Sequence, residues 1–150
     1  RAHITAELQN RNSKARGEDT ATMMLRHTSG AVSVVEVSYG SRGLPDAFPA
    51  TLLEIEGSHG AIRVDADYQV HLSSQGKLTS MDGDAPLLPW AERPWHVVQE
   101  SVYNTCRHIL ERFRAGQQAD VSGADNLRTY ALCDAAYDAA ASGRAERPKA

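Results

Sequence analysis

The chain has 150 residues, of which 41% are apolar and 23% charged, the balance of a soluble globular domain large enough to bury a core. Its formal net charge is -3 and its 16 basic residues are dispersed, which excludes the basic footprint of a nucleic-acid-binding protein. No apolar run approaches the ~20 residues of a membrane-spanning helix. Neither nucleic acid nor a membrane is therefore a predicted partner.

The cysteines and histidines give no sign of a metal site. Cys106 and Cys133 fall inside predicted helices and lack C-x-x-C spacing. We interpret them as reduced, buried thiols of a cytoplasmic protein, and a disulfide or a metal site is a lesser alternative. The six histidines show no pair at helical metal-ligand spacing, so surface histidines are expected.

The first forty residues carry strand patterns. Residues 3–8 alternate apolar and polar side chains and predict a first strand, which a polar loop over residues 9–18 follows. Residues 20–27 and 31–39 are β-rich and flank Thr28, Ser29 and Gly30, so they predict a hairpin.

The second strand of that hairpin is apolar on both sides. Val32 and Val34 would face one way, and Val35 and Val37 the other. Such a strand indicates that both faces are covered, the second by another protomer or domain. The alternative is that β-branched residues simply suit a pleated surface, and the sequence does not decide between the two.

Residues 53–64, LEIEGSHGAIRV, predict a second hairpin, with alternating arms and glycines on both sides of Ser58 and His59. Residues 68–73 and 77–81 predict a third. Residues 82–94 contain three prolines and Trp90, so we expect an irregular excursion.

From residue 95 the apolar period changes from two to about 3.6 residues, which predicts a helix ending near Gly116. Its apolar stripe comprises Val98, Val102, Cys106, Ile109, Leu110 and Phe113. Ser122, three residues before Asp125, predicts the cap of a second helix that ends near Ser142. Its shared face comprises Leu127, Tyr130, Ala131, Asp134, Tyr137 and Ala141, and its many alanines indicate close approach to a neighbouring element.

These elements predict a single α+β domain over residues 1–150. We expect a mostly antiparallel open sheet of about six or seven strands, with two C-terminal helices packed on one face.

Two stretches are candidate ligand sites. The loop of residues 39–48 offers the phenol of Tyr39, the guanidinium of Arg42, the carboxylate of Asp46 and the ring of Phe48, a mixture that suits a sugar or a carboxylate. The alternative is a surface loop with incidental polarity.

Trp95 and His96, at the start of the first helix, form the second candidate, and there the alternative is a tryptophan that anchors the core. No serine has a nucleophile-elbow motif, and no G-x-G-x-x-G is present. No catalytic, cofactor-binding or metal-binding residue is therefore predicted in this chain.

With these elements in place, the chain resembles the C-terminal domain of the Gfo/Idh/MocA family of NAD(P)-dependent oxidoreductases. Three regions carry the resemblance. Glu18 to Thr20 lead through Met23 to Leu25 and then Ser29, Gly30 and Ala31 into the valine strand. LEIEGSHGAIRV is similar to the family's recurrent glycine hairpin, and residues 109–144 are similar to its closing helix pair.

The resemblance implies that this chain is the substrate and oligomerisation domain of a longer protein. Family members begin with a Rossmann domain and carry Glu-Lys-Pro and Gly-x3-Asp-x3-His motifs, none of which occurs here. The chain is thus expected to begin partway through its parent and to be inactive alone. Polar substrate contacts map by resemblance to Tyr39, Arg42, Trp95 and His96.

The leading hypothesis is an NAD- or NADP-dependent parent that acts on a sugar, inositol or related polyol, and that forms a homo-oligomer through the open sheet face. The alternative is a non-catalytic binding or assembly module with the same fold.

Overall fold

The computed structural model describes residues 3–43 and 50–149. The chain divides into two compact units, one of Arg1–Ser41 with Gln118–Ala150 and the other of Arg42–Gln117. The described elements confirm the α+β class. In chain order they are β1 His3–Gln9, β2 Thr20–Arg26, β3 Val32–Ser38, β4 Leu53–Gly57, β5 Gly60–Val64, β6 Gln69–Ser74, β7 Lys77–Asp82, α1 His96–Arg114 and α2 Gly123–Ser142.

The first unit is a three-stranded antiparallel sheet with α2 packed against it. The strands lie in the order β1-β2-β3, which confirms the predicted first strand and hairpin. The Ser122 hydroxyl caps α2 by accepting a hydrogen bond from the Asp125 amide, and Gly143 ends the helix in the left-handed conformation, with a φ of 66°. Both ends of this helix were therefore predictable from sequence.

The core of this unit lies between β1 and a row of alanines. Ile4 and Ala6 of β1 are buried against Ala135, Ala136 and Ala139 of α2. Alanine side chains allow the helix axis to approach the sheet closely, as the alanine content predicted.

The face of α2 that we predicted to be shared is nevertheless not the buried one. Its large members Leu127, Tyr130 and Tyr137 are exposed. Helix α2 is rotated so that its smallest side chains meet the sheet, because the larger ones would hold the two elements apart.

The other face of the three-stranded sheet is open. Residues directly opposite each other in an antiparallel pair share a face. Val35 lies opposite Met23, which packs on the core, so Val35 faces α2. Val34 lies opposite Met24, and these two side chains are 64% and 51% exposed on the face away from the helix.

The second unit contains a four-stranded antiparallel sheet in the order β4-β5-β6-β7. It confirms the hairpin of residues 53–64, with Gly57 opposite Gly60 across the turn. The two glycines are not equivalent. Gly60 has a φ of 154°, and a Cβ atom there would lie 2.1 Å from the carbonyl oxygen of Ser73, whereas Gly57 has ordinary space around it.

The seven strands thus form two sheets instead of the single sheet that we expected. Each hairpin was readable from local alternation, but whether β3 and β4 pair with each other was not, and in the described sheets they do not. The prediction of one domain over residues 1–150 stays a prediction.

Helix α1 follows the predicted bounds within two residues, but its apolar stripe is not a core. Val102 and Phe113 are 58% and 79% exposed. Cys106 on α1 and Cys133 on α2 are free and exposed, so the expectation of buried thiols was wrong. Within the described ranges, neither helix is long and apolar enough to cross a membrane.

Candidate functional site

A carboxylate from the segment before α1 anchors the first turn of that helix. Asp84 lies two residues beyond β7, and its Oδ1 is 2.8 Å from Nε2 of His96. Its other oxygen, Oδ2, accepts a hydrogen bond of 2.9 Å from the Arg93 guanidinium. Both carboxylate oxygens are used, so one side chain ties residues 84, 93 and 96 together.

The burial of this cluster is uneven. Among the described residues, His96 is the buried polar side chain, with 4% of its surface exposed. Its second ring nitrogen, Nδ1, is buried too and has no hydrogen-bond partner in the described part of the chain. The neighbouring Trp95 is 49% exposed. A half-exposed indole therefore stands directly before a buried, anchored imidazole.

The surroundings of Asp84 favour its ionised form. Burial is the largest single contribution and raises the pKa of Asp84, but the hydrogen bonds and charges of His96 and Arg93 together outweigh it and leave the pKa below its ordinary value of 3.8. Burial also raises the pKa of the Tyr68 phenol, and the negative charge of Asp84 adds to that rise. Asp84 is thus an anion at neutral pH and acts as an acceptor only.

Backbone hydrogen bonds fix both ends of the same segment. The Gly83 amide donates to the carbonyl of Tyr68, next to β6, and the Glu92 amide donates to Oε1 of Gln99 on α1. The excursion of residues 83–94 is therefore held at its start and at its end, and Asp84 links the two ends through Arg93 and His96. The path of this segment is therefore defined although it contains no helix or strand.

Aromatic side chains accompany this segment. The ring centroids of Trp90 and Tyr103 are 5.9 Å apart, at an interplanar angle of 55°, and the Arg107 guanidinium carbon lies 5.9 Å from the Tyr103 ring centroid. Trp90 is 57% exposed and Tyr103 is 47% exposed. Accessible rings beside fixed polar groups suit a ligand with both C–H and hydroxyl surfaces, as a sugar has.

The four predicted contact residues fall in both units. Trp95 and His96 lie together at the start of α1, with Arg42 in the same unit. Tyr39 belongs to the first unit, where it is 88% exposed and its amide donates to the Asp19 carbonyl. Of the candidate loop, Asp46 and Phe48 lie outside the described residues.

Sequence reasoning missed Asp84, Arg93, Trp90 and Tyr103. Asp84 lies twelve residues before His96, in a proline-rich stretch where no periodicity predicts a contact. The available signal was composition, since a carboxylate, an arginine and two tryptophans accumulate just before an apolar helix.

A second polar cluster lies on the sheet of the same unit. His71 contacts Ser80 Oγ through Nδ1 at 2.8 Å and Asp65 Oδ2 through Nε2 at 3.0 Å, and Arg63 pairs with Asp65 at 3.0 Å. Arg63, His71 and Ser80 lie opposite one another on β5, β6 and β7. We interpret this cluster as cross-strand pairing that stabilises the sheet. Across the described ranges, no group of three or more His, Cys, Asp or Glu side chains could hold a metal ion.

Comparison with solved structures defines the class of the protein. A crystal structure of an oxidoreductase from Agrobacterium radiobacter, in complex with NAD+, L-tartaric acid and magnesium, is 43% identical, with a TM-score of 0.91 over 96% of this chain and 42% of that one. The chain is a domain of the Gfo/Idh/MocA type of oxidoreductase, as its resemblance predicted. No family model matches the chain.

The curated relatives are more specific. The chain is similar to D-apiose dehydrogenase of Rhizobium rhizogenes, with 43% identity over 143 residues, which are 95% of this chain and 41% of the relative. It is also similar to D-apiose dehydrogenase of Paraburkholderia graminis, with 42% identity over 133 residues, 89% of this chain and 36% of the relative. The chain spans about two fifths of the length of these relatives.

Proposed function

We propose that this chain is the substrate-side domain of an NAD-dependent dehydrogenase that oxidises a small sugar of the D-apiose class. The observation that carries the proposal is 43% identity to a D-apiose dehydrogenase over 95% of the chain. The structure supports it with an anchored polar cluster and exposed indole rings at the start of α1. The proposed substrate class is narrower than the sugar, inositol or polyol that the resemblance implied.

Each of the four candidate residues has a role in this proposal. Trp95 supplies an accessible ring against the C–H face of the sugar, because stacking on an indole removes apolar surface from water. The buried His96, hydrogen-bonded to Asp84, fixes the first turn of α1. Arg42, in the same unit, supplies a guanidinium to the sugar hydroxyls. For Tyr39, in the other unit, a substrate contact stays what the resemblance implies.

The cofactor and the reacting groups belong to another part of the full-length protein. This chain contains no G-x-G-x-x-G, so we assign NAD binding and hydride transfer to a Rossmann domain outside it. The neighbouring oxidoreductase structure, solved with NAD+, favours NAD over NADP. The chain by itself is proposed to bind neither cofactor and to be inactive.

We further propose that the protein is a homo-oligomer that associates through the open face of the three-stranded sheet. Val32, Val34 and Met24 of that face are all more than half exposed. Covering them with a second copy would remove apolar surface from water at roughly 25 cal/mol per Å².

An activity assay of the full-length protein tests the proposed function. With D-apiose and NAD+ we expect NADH formation, and with Trp95→Ala we expect a KM about tenfold higher because a stacking contact is lost. Val98→Ala, on the next turn of α1, is the control for a local loss of apolar surface. Absence of turnover with D-apiose, other sugars and myo-inositol would overturn the proposal in favour of the non-catalytic module.

Sedimentation of the full-length protein tests the oligomer. Val34→Asp places a charge on the open face and should weaken association by about tenfold or more. Val37→Asp is the matched control, since Val37 lies opposite Ala21 on the helix-covered side of the same strand. Equal association in both variants, or a wild-type monomer at high micromolar concentration, would contradict this interface.

A further inference from the structure

Asp84 makes two side-chain hydrogen bonds that bring distant positions together. Its Oδ1 meets Nε2 of His96 at 2.8 Å, and its Oδ2 meets Arg93 at 2.9 Å. The Asp84 side chain is 19% exposed, and the His96 side chain is 5% exposed. Hydrogen bonds with a charged partner in such a shielded place constrain geometry more than surface pairs do.

The charge of Asp84 decides which ring nitrogen of His96 carries the proton. An ionised carboxylate only accepts, so Nε2 must donate to it. Nε2 donates to Asp84 whether the ring is neutral or protonated, and in the neutral ring the lone pair then lies on Nδ1. Because Nδ1 has no partner among the described residues, the bond to Asp84 is the one polar contact in that part of the chain that orients the ring.

His96 directly follows Trp95 at the start of α1, so a contact that fixes His96 also restrains the backbone at Trp95. Trp95 is the N-cap residue of α1, and its carbonyl accepts the first hydrogen bond of the helix from the Gln99 amide, at 2.9 Å. The clamp formed by Asp84, Arg93 and His96 holds the residues on both sides of Trp95. Releasing it would remove one of the contacts that hold the backbone beside the half-exposed indole, in addition to the hydrogen bond between the Gln99 amide and the Trp95 carbonyl.

We propose that Asp84 is a positioning residue for the sugar site: it holds His96 as the Nε2–H tautomer and, with Arg93, clamps residues 83–94 onto α1 so that Trp95 presents its ring to the substrate. The substrate part rests on the proposed function. The clamp and the tautomer do not depend on it.

The tautomer is measured on this chain by NMR with histidine-selective nitrogen labelling, and the His96 signals are identified by their loss in His96→Gln. The wild type should show the Nε2–H form. Asp84→Ala should lose that preference, whereas Asp84→Asn, whose amide oxygen still accepts, should retain it. Glu92→Gln removes a charge from the same segment and should change nothing. An Nε2–H signature that persists in Asp84→Ala would overturn the clamp.

Steady-state kinetics of the full-length protein test the effect on the substrate. Asp84→Ala should raise the KM for the sugar about tenfold while kcat changes by less than about threefold, because ground-state positioning is lost and the reacting groups lie elsewhere. The KM of Asp84→Asn should lie between those of Asp84→Ala and the wild type, and the KM of Glu92→Gln should equal that of the wild type. An unchanged KM in an active Asp84→Ala enzyme would overturn the positioning role. A wild type without sugar turnover would overturn the proposed function and this role with it, and the tautomer result would stand.

Discussion

The Tyr137 hydroxyl on α2 donates a hydrogen bond to the Glu18 carboxylate in the loop before β2, 119 positions earlier in the chain. The bond joins α2 to the loop between β1 and β2 within one unit. This hydrogen bond is the main reason that the pKa of Glu18 is lowered. It is also the main reason that the pKa of Tyr137 is raised.

We therefore expect the phenol of Tyr137 to titrate above its ordinary value of 10.0, and Glu18→Gln to bring the titration down. A raised folded-state pKa stabilises the fold below pH 10.0, and that contribution is lost as the pH rises through the folded pKa. Tyrosinate absorbance, with Tyr137→Phe to identify the signal, measures the shift. Glu7→Gln is the control carboxylate of the same unit, and an equal effect in both variants would refute the pairing.

The turn of residues 57–60 makes a sharp prediction because its two glycines differ. Gly60→Ala should destabilise the fold by about 1–3 kcal/mol or more, since the new Cβ would lie 2.1 Å from the Ser73 carbonyl oxygen. Gly57→Ala should change the free energy of unfolding by less than about 0.5 kcal/mol. Denaturant unfolding of the two variants measures the difference, and equal midpoints would contradict the structure.

The alanine contact between α2 and β1 should not tolerate enlargement. Ala139 is 2% exposed, so Ala139→Leu should cost about 1–3 kcal/mol through overpacking. Ala141→Leu, on the exposed side of the same helix, should lie within about 0.5 kcal/mol of the wild type. If the two substitutions had the same effect on thermal unfolding, the assigned helix face would be wrong.

Because of Asp84, the free energy of unfolding should depend on pH in the acidic range. Its folded-state pKa lies below 3.8, so its contribution is complete above that pH and is lost as the pH falls through the folded pKa. The contribution of Asp84 to the difference in unfolding free energy between wild type and Asp84→Asn should therefore shrink as the pH falls below about 4. Denaturant unfolding of both proteins at a series of pH values measures this difference in free energy, with Glu92→Gln as the control. A difference that grows as the pH falls below about 4 would have the wrong sign.

The elements that local patterns determine were predictable from sequence. Alternation gave the strands, and Ser122 and Gly143 gave the ends of α2, because caps and turns depend on residues close in sequence. The face of α2 was not predictable in this way. Its burial depends on how closely the helix approaches β1, which is a property of the assembled unit.

Part of the candidate site was predictable from local sequence, and part depended on the assembled fold. Trp95 and His96 stood out because they begin a helix after an irregular segment. Asp84 and Arg93 did not, since their contact with His96 depends on the course of a proline-rich excursion that no period encodes. Functional polar clusters assembled by such segments become visible only when the fold places them together.

The most direct test of the central claim is calorimetric titration of this chain and of the full-length protein, separately, with NADH and NADPH. We expect the full-length protein to bind NADH and the chain alone to bind neither, as a substrate-side domain of an NAD-dependent dehydrogenase should. If the chain alone bound NADH, or if neither protein bound it, the chain would not be the substrate-side domain of an NAD-dependent dehydrogenase.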